Sequence, residues 1–193
     1  MRLYLVRHAR PEIADGMCYG SSDVHAVEEE QQALLARLVT ELPSRAPLFT
    51  SPLQRCRKLA DKLAVALDAG PVTIDPRLAE MHFGDWEMRP WETIPRAEID
   101  AWAADLQLYR PGGGEQVLEV AQRVHAFHAE LLAAQHESAI VVCHAGTIRL
   151  LLARLHASSP AGMAALAAQA PHRIGYGEVI TLDCQSDNNA RNT

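Results

Sequence analysis

The chain has 193 residues, the size of one domain with a substantial hydrophobic core. Its net charge of −6 argues against a general binder of nucleic acid or of anionic membranes, because both need a basic surface. No apolar run is long enough to cross a bilayer and no signal-peptide pattern precedes the first strand. We therefore expect a cytoplasmic protein whose four cysteines are reduced thiols.

The first predicted element is a buried strand at residues 3–6, followed at once by Arg7 and His8. Four consecutive apolar residues are typical of a strand inside a parallel sheet. The carboxyl ends of such strands face the crevice in which open α/β sheets bind ligands. Arg7 and His8 are therefore candidate site residues, although an ordinary polar loop is the alternative for this pair alone. In the loop at residues 9–25, Ser21 and Ser22 are either substrate contacts or turn residues.

A helix is predicted from the leucine spacing at residues 34–42, and a second strand at 48–50. Ser51 then fits the N-cap of the next helix, with Pro52 in the favoured first position. This start places Arg55 in the first helical turn, near the carboxyl end of the strand. A guanidinium group suits phosphate oxygens well, and an arginine on the helix surface is the alternative.

After a third strand at 72–74, residues 82–113 form an excursion that holds five of the ten aromatic residues, including all three tryptophans. We predict a helix near Trp102 and interpret this segment as a short helical lid over the sheet. Trp86 is the candidate substrate contact. The alternative is that the rings only anchor the lid to the core.

A long amphipathic helix is predicted at 117–131, where His125 and His128 lie three residues apart. No carboxylate or cysteine at matching spacing completes a metal site, so we predict none. A buried strand at 139–143 then ends at His144. The helix predicted at 147–155 begins after Ala145, and its free N–H groups suit an anion.

The last predicted elements are an alanine-rich helix at 160–169, stopped by Pro171, and a strand at 176–183 with alternating exposure. Residues 185–193 are polar and predicted to be disordered. The sequence thus predicts one domain at 1–184. Its fold class is a three-layer α/β/α arrangement with a mostly parallel sheet and an antiparallel edge strand.

Taken together, the motifs resemble the histidine phosphatase superfamily, the phosphoglycerate-mutase-like group. The ordered motifs that carry this resemblance span most of the chain: Arg7-His8, Ser51-Pro52-Leu53-Gln54-Arg55-Cys56, Leu78-Ala79-Glu80, Phe83-Gly84-Asp85-Trp86-Glu87, Gly113-Gly114-Glu115 and His144-Ala145-Gly146-Thr147-Ile148-Arg149. Within the family, the stretch at residues 16–20 is most similar to α-ribazole-phosphatase-like members.

The resemblance implies a phosphatase for a small phosphorylated metabolite, with neither a cofactor nor a metal. It implies that His8 attacks phosphorus and becomes a phosphohistidine. Arg7, Arg55 and His144 would hold the phosphoryl oxygens, with Ala145 beside them. Glu80 would protonate the leaving oxygen, although a surface loop glutamate is its alternative interpretation.

Three positions depart from the family pattern. Ala9 and Ala145 stand where glycine is common, and Gln116 replaces a frequent serine after Gly-Gly-Glu. We expect the pocket to survive these changes. Because alanine tolerates positive φ poorly, we expect the substrate fit or the rate to be altered.

Three other functions compete with hydrolysis: a phosphoglycerate-type mutase, a module that binds phosphorylated ligands without turnover, and a metal-binding protein. The short lid favours hydrolysis over mutase activity. The presence of all five aligned side chains argues against a binding module, and the scatter of the nine histidines argues against a metal protein.

Overall fold

The computed structural model describes residues 1–169 and 174–184. The strands and helices in chain order are β1 (Arg2–Arg7), β2 (Met17–Cys18), α1 (Glu28–Glu41), β3 (Leu48–Thr50), α2 (Gln54–Ala66), β4 (Thr73–Ile74), β5 (Arg89–Pro90), α3 (Arg96–Ala104), α4 (Val117–Ala133), β6 (Ser138–Cys143), α5 (Ala145–Arg154), α6 (Pro160–Gln169) and β7 (Val179–Asp183). Short 3₁₀ turns lie at Pro76–Leu78, Gly84–Trp86, Trp91–Thr93 and Pro111–Gly113.

Five strands form the main sheet in the order β4-β3-β6-β1-β7. The pairs β3–β4, β3–β6 and β1–β6 are parallel, whereas β7 runs antiparallel beside β1. The predicted mostly parallel sheet with an antiparallel edge strand is therefore confirmed. Strands β3, β6 and β1 are neighbours, so their carboxyl ends meet at one edge of the sheet.

The sheet is buried on both faces because successive side chains of a strand point to opposite sides. In β6, Ile140 and Val142 pack towards α1 and α2. Val141 and Cys143 pack towards α4, α5 and α6. Burying one such aliphatic side chain contributes about 1.5–3 kcal/mol, and these two clusters hold the three layers together.

Ser51 is not the N-cap of α2, which corrects the prediction. The helix begins at Gln54, with Leu53 as its N-cap residue. The N–H of Ser51 still donates to the carbonyl of Val142 at 3.0 Å, so the sheet ladder continues through Ser51. Asp23 from the preceding loop instead accepts from the N–H of Gln54 at 2.7 Å.

The excursion at residues 82–113 contains the predicted helix, which is α3. It also contributes β5 to a two-stranded antiparallel ribbon with β2, which the sequence did not predict. Strands of two residues are too short to show a periodic pattern. The ribbon joins the loop after β1 to the excursion.

Helix α6 and strand β7 confirm the two elements predicted last. Pro171 and the predicted disordered tail at 185–193 lie outside the described residues. In the described ranges, no helix combines the length and the apolar character needed to cross a membrane.

Candidate active site

A cavity of about 340 Å³ opens at the carboxyl edge of β1, next to β3 and β6. Its lining has a polar and an apolar part. The polar lining residues are Arg7, His8, Tyr19, Gly20, Arg55, Glu80, Gly146 and Arg149. At one end of the cavity, Arg55 contacts His8, Gly20 and Tyr19. The apolar wall is lined by Met17, Met81, Phe83, Trp91, Trp102, Leu106, Val117, Val120, Leu150, Ala167 and Ala168.

His8 is the first residue after β1, and its ring is almost fully buried. Its Nδ1 lies 2.6 Å from the carbonyl oxygen of Ala9. A carbonyl oxygen only accepts, so Nδ1 carries the proton and Nε2 keeps its lone pair. Nε2 accepts a hydrogen bond from Nε of Arg55 at 3.3 Å. Burial and then the charge of Arg55 hold the pKa of His8 well below its usual value of 6.5, so the ring is neutral at pH 7.

His144 lies beside His8, with 5.1 Å between the ring centroids. It is fully buried and does not line the cavity wall. Its Nε2 lies 2.7 Å from Oγ of Ser51 and 3.5 Å from Sγ of Cys56. Burial and then the charge of Arg55 keep its pKa well below 6.5. Ser51 and Cys56 therefore fix a neutral imidazole behind the predicted nucleophile.

Arg55 is a fully buried cation without an acidic partner among its described hydrogen bonds. Its guanidinium donates to His8, to the carbonyl of Ser22 at 2.7 Å and to the carbonyl of Gly20 at 2.6 Å. All three acceptors are neutral. A buried charge that only neutral groups surround is costly, so this position favours an anionic ligand.

Arg7 adds a second cation at the same end of the cavity. Its guanidinium carbon lies 3.8 Å from the ring centroid of Tyr176, and Nη1 donates to the carbonyl of Ile174. Its buried Nε has no hydrogen-bond partner in the described part of the chain. Tyr176 also shares a hydrogen bond of 2.9 Å with Tyr19, whose ring lies 5.3 Å from the guanidinium of Arg55. The two tyrosines thus cover the two arginines.

Glu80 is the only acidic residue among those that line this cavity. Its Oε1 accepts from the N–H of Met81 at 3.0 Å, and Oε2 accepts from the N–H of Gly146 at 3.2 Å. Gly146 lies in the first turn of α5, so one of the free N–H groups predicted for an anion holds this carboxylate. Ala145 itself is not part of the wall, and Gly146 takes that place.

Ser21 and Ser22 do not face the cavity, which corrects their prediction as substrate contacts. The N–H groups of both residues donate to Glu87, at 2.9 and 3.0 Å, and both hydroxyls donate to the same carboxylate. Burial raises the pKa of Glu87, but bonds from Phe83, Ser22 and Ser21 outweigh it and lower the pKa. The two serines thus serve the structure of the cavity rim.

Trp86 is also misassigned as a substrate contact, because it is fully buried and lines no part of the cavity. Its Nε1 donates to Glu98 at 2.7 Å, which satisfies the indole inside the cluster. Trp91 and Trp102 face the cavity in its place, with ring planes 5° apart and centroids 6.1 Å apart. The aromatic content of segment 82–113 pointed to this wall without identifying which ring reaches it.

The three departures from the family pattern do not strain the backbone. Among the described residues, neither Ala9 nor Ala145 has a positive φ, so the reason for expecting an altered fit there is removed. Gln116 completes a capping box at the start of α4, and its amide donates to the carbonyl of Leu108 at 2.7 Å. It does not line the cavity.

His125 and His128 contact different parts of the chain. His125 Nε2 lies 3.3 Å from the carbonyl of Ser158, whereas the buried His128 lies 3.7 Å from Sγ of Cys184. Across residues 1–169 and 174–184, no three histidine, cysteine, aspartate or glutamate side chains group as metal ligands.

The four cysteines are free thiols, as predicted. Burial raises the pKa of Cys56 and Cys143, which makes them poor nucleophiles.

Comparison with known proteins decides the family. The sequence model of the histidine phosphatase superfamily (branch 1) matches residues 3–187. The chain belongs to this superfamily. As a histidine phosphatase, it shares 34% identity over 166 residues with the adenosylcobalamin/α-ribazole phosphatase of Escherichia coli (strain K12), covering 80% of this chain and 79% of the relative.

Two further phosphatases are also similar to this chain. The crystal structure of the α-ribazole phosphatase from Shigella flexneri superposes with a TM-score of 0.78 at 31% identity, covering 96% of this chain and 91% of that one. The glucosyl-3-phosphoglycerate phosphatase of Mycobacterium tuberculosis (strain ATCC 25618 / H37Rv) is 32% identical over 174 residues, covering 80% of this chain and 74% of the relative. The chain is accordingly a phosphatase, a hydrolase by class.

Proposed function

We propose that this histidine phosphatase hydrolyses a small, ring-bearing phosphate monoester through a phosphohistidine on His8, without a metal ion. The observation that carries the proposal is the state of His8. Its Nδ1 proton is held by the carbonyl of Ala9, and the lone pair of Nε2 faces the buried guanidinium of Arg55. A nucleophile therefore meets a buried cation whose described hydrogen bonds reach only neutral groups.

The charge distribution supports a phosphate as the group that binds there. Arg7, Arg55 and Arg149 line the cavity with a single carboxylate, in a chain whose net charge is −6. A dianionic phosphoryl group would give the buried Arg55 an anionic partner, which it lacks among the hydrogen bonds of residues 1–169 and 174–184. His144 is the further group that we assign to the phosphoryl oxygens. It lies beside His8 but behind the cavity wall, so its ring must turn towards the cavity when the phosphoryl group binds.

The reaction has two balanced steps. In the first, Nε2 of His8 forms a bond to phosphorus while the bond from phosphorus to the leaving oxygen breaks, and Glu80 gives that oxygen a proton. In the second, the Glu80 carboxylate takes a proton from water as the water oxygen bonds to phosphorus. The phosphorus–nitrogen bond then breaks and releases inorganic phosphate.

The apolar wall supports a ring-bearing leaving group over a sugar acid. Phe83, Trp91 and Trp102 face the cavity, and the other wall residues are aliphatic or methionine. Such a surface gains free energy by burying a planar apolar ring and offers few partners to sugar hydroxyls. Among the substrates named by the relatives, α-ribazole 5′-phosphate fits this wall better than glucosyl-3-phosphoglycerate.

The first test is hydrolysis of an aryl phosphate in excess EDTA by the parent protein, by His8→Ala and by His156→Ala. His156 is an exposed histidine at the end of α5 that lines no part of the cavity, and it serves as the matched control. We expect the parent and the control to be equally active. We expect His8→Ala to lose at least about 10³-fold in kcat.

A second measurement looks for the intermediate directly. Parent protein quenched during turnover should carry phosphate that is stable in base and lost in acid, and His8→Ala should carry none. Activity that persists in His8→Ala, or that EDTA abolishes in the parent, contradicts the proposal. Return of the phosphoryl group to an organic acceptor, with a requirement for a bisphosphorylated activator, would identify a mutase instead. Comparison of kcat/KM for the two candidate substrates tests the role of the apolar wall.

A further inference from the structure

Glu80 lies in an irregular segment of backbone between the 3₁₀ turn Pro76–Leu78 and the turn Gly84–Trp86. Its own backbone belongs to no helix or strand, and its carboxylate is held by the N–H groups of Met81 and Gly146. The backbone carbonyls near Glu80 also have no sheet or helix ladder to join, so they need other donors. A catalytic carboxyl in such a segment needs an external support to stay in register with the cavity.

One arginine on α4 supplies that support. Nη1 of Arg123 donates to the carbonyls of Arg77 and Ala79, each at 2.7 Å. Nη2 donates to the carbonyl of Glu80 at 3.3 Å. A single guanidinium group thus binds three carbonyls over four consecutive residues.

Glu115 fixes the guanidinium and closes the other side of the segment. Its two carboxylate oxygens accept from Nε and Nη2 of Arg123 at 3.0 and 3.1 Å. Oε2 also accepts from the N–H of His82 at 2.9 Å, while the N–H of Glu115 donates to the carbonyl of His82 at 2.8 Å. The side chains of Arg123 and Glu115 are only 18% and 29% exposed, so water screens this pair weakly.

We infer that Arg123, oriented by Glu115, is a positioning residue that sets the place of the Glu80 carboxyl for proton transfer. The inference rests on the role of Glu80 in the proposed function. Arg123 does not line the cavity, so it acts through the backbone of residues 77–80. Lysine keeps the charge but lacks the planar fork that reaches three carbonyls and a carboxylate together.

This role has a kinetic signature that a general loss of structure does not share. Protonation by Glu80 matters for an alkyl phosphate, whose leaving oxygen is strongly basic. It matters little for 2,4-dinitrophenyl phosphate, whose leaving phenolate is stable without a proton. A displaced Glu80 therefore slows hydrolysis of the alkyl phosphate more than that of 2,4-dinitrophenyl phosphate. The value of kcat/KM reports this difference because it includes the transfer of the phosphoryl group to His8.

The experiment measures kcat/KM with both substrates for Arg123→Lys, with Glu115→Gln as the second variant. For Arg123→Lys we expect a loss of about 10-fold to 100-fold on the alkyl phosphate, the scale of a misplacement of about 1 Å. On 2,4-dinitrophenyl phosphate we expect a loss below about threefold. Glu115→Gln should show the same selectivity, weakened, because an amide oxygen remains as an acceptor.

Arg110→Lys is the matched control, because it makes the same substitution at another arginine. Arg110 also binds one glutamate and one backbone carbonyl, those of Glu119 and Gly114, but it does not contact the Glu80 segment. Its variant should leave the ratio of the two substrates unchanged. Equal losses on both substrates in Arg123→Lys, or full activity of that variant, would overturn the inference. Activity in His8→Ala would instead overturn the proposed function, so the two failures are distinguishable.

Discussion

Replacing Gly146 by alanine should displace the general acid without harming the fold. A Cβ atom built at Gly146 would lie 2.4 Å from Oε1 of Glu80 and 3.2 Å from its carboxyl carbon. Outside the backbone of α5 and the two neighbouring residues, the three nearest atoms in the described part of the chain all belong to this carboxyl group. The end of a flexible side chain yields easily, so Glu80 moves and the backbone stays in place.

The size of the effect follows from that distance. An ordinary contact between carbon and oxygen needs a separation roughly 1 Å longer than the one found. A shift of about 1 Å at a catalytic group costs about 10²-fold in rate. The free energy of unfolding should rise in Gly146→Ala even though the activity falls, because alanine is favoured over glycine in a helix by up to about 1 kcal/mol. Gly146 does not have a positive φ that would oppose the substitution.

The assay compares kcat/KM for an alkyl phosphate and the thermal midpoint in Gly146→Ala, Glu80→Asp and the double variant. Glu80→Asp shortens the side chain by one methylene and clears the space for the new methyl group. We expect Gly146→Ala to cost about 10²-fold in the parent background and far less in the Glu80→Asp background. Additive losses in the double variant, or full activity of Gly146→Ala, would show that the new methyl group does not act through Glu80.

Three further predictions test the site. Burial lowers the pKa of His8 and His144 below 6.5, so below that pH the unfolded chain binds more protons than the folded protein does. As the pH falls below about 6.5, the free energy of unfolding should therefore decrease by up to about 1.4 kcal/mol per pH unit for each histidine. Urea unfolding at pH 7 and pH 5 should show a smaller loss in His144→Gln, and an equal loss would contradict the assignment. Tyr176→Ala should raise KM between about twofold and 30-fold by uncovering Arg7, whereas Tyr176→Phe keeps the ring and should not, as steady-state kinetics can check. Trp102→Ala should raise KM for a ring-bearing monoester by about threefold to tenfold and leave that for a small alkyl phosphate unchanged, and equal effects would exclude a ring contact.

The part of the site that the sequence predicts is the part that lies at strand ends. Strands β1 and β6 can be recognised in the sequence as apolar runs. Because they pair in parallel, His8 and His144 lie at the same edge of the sheet. The position of Arg55 can be predicted because α2 begins close to the end of β3. The bond from Nδ1 of His8 to the carbonyl of Ala9 is local as well, because the two residues are neighbours in the chain.

The rest depends on contacts between distant segments that no local pattern records. Trp86 and Trp102 occur in one aromatic stretch, and only packing determines that the first is buried and the second faces the cavity. Arg123 carries an ordinary helical charge in the sequence, yet it binds backbone more than forty residues away. Ser51 looked like a helix cap, but the sheet ladder extends through it and turns its hydroxyl towards His144.

The position of β1 in the sheet has a consequence for biosynthesis. Strand β1 leaves the ribosome before both of its partners, which are β6 at residues 138–143 and β7 at residues 179–183. Until those segments emerge, β1 has no partner and His8 has no neighbouring His144. Pairings across so much of the chain fold late and slowly. The growing polypeptide is therefore inactive until β6 and β7 have been synthesised, which requires nearly all of the described chain.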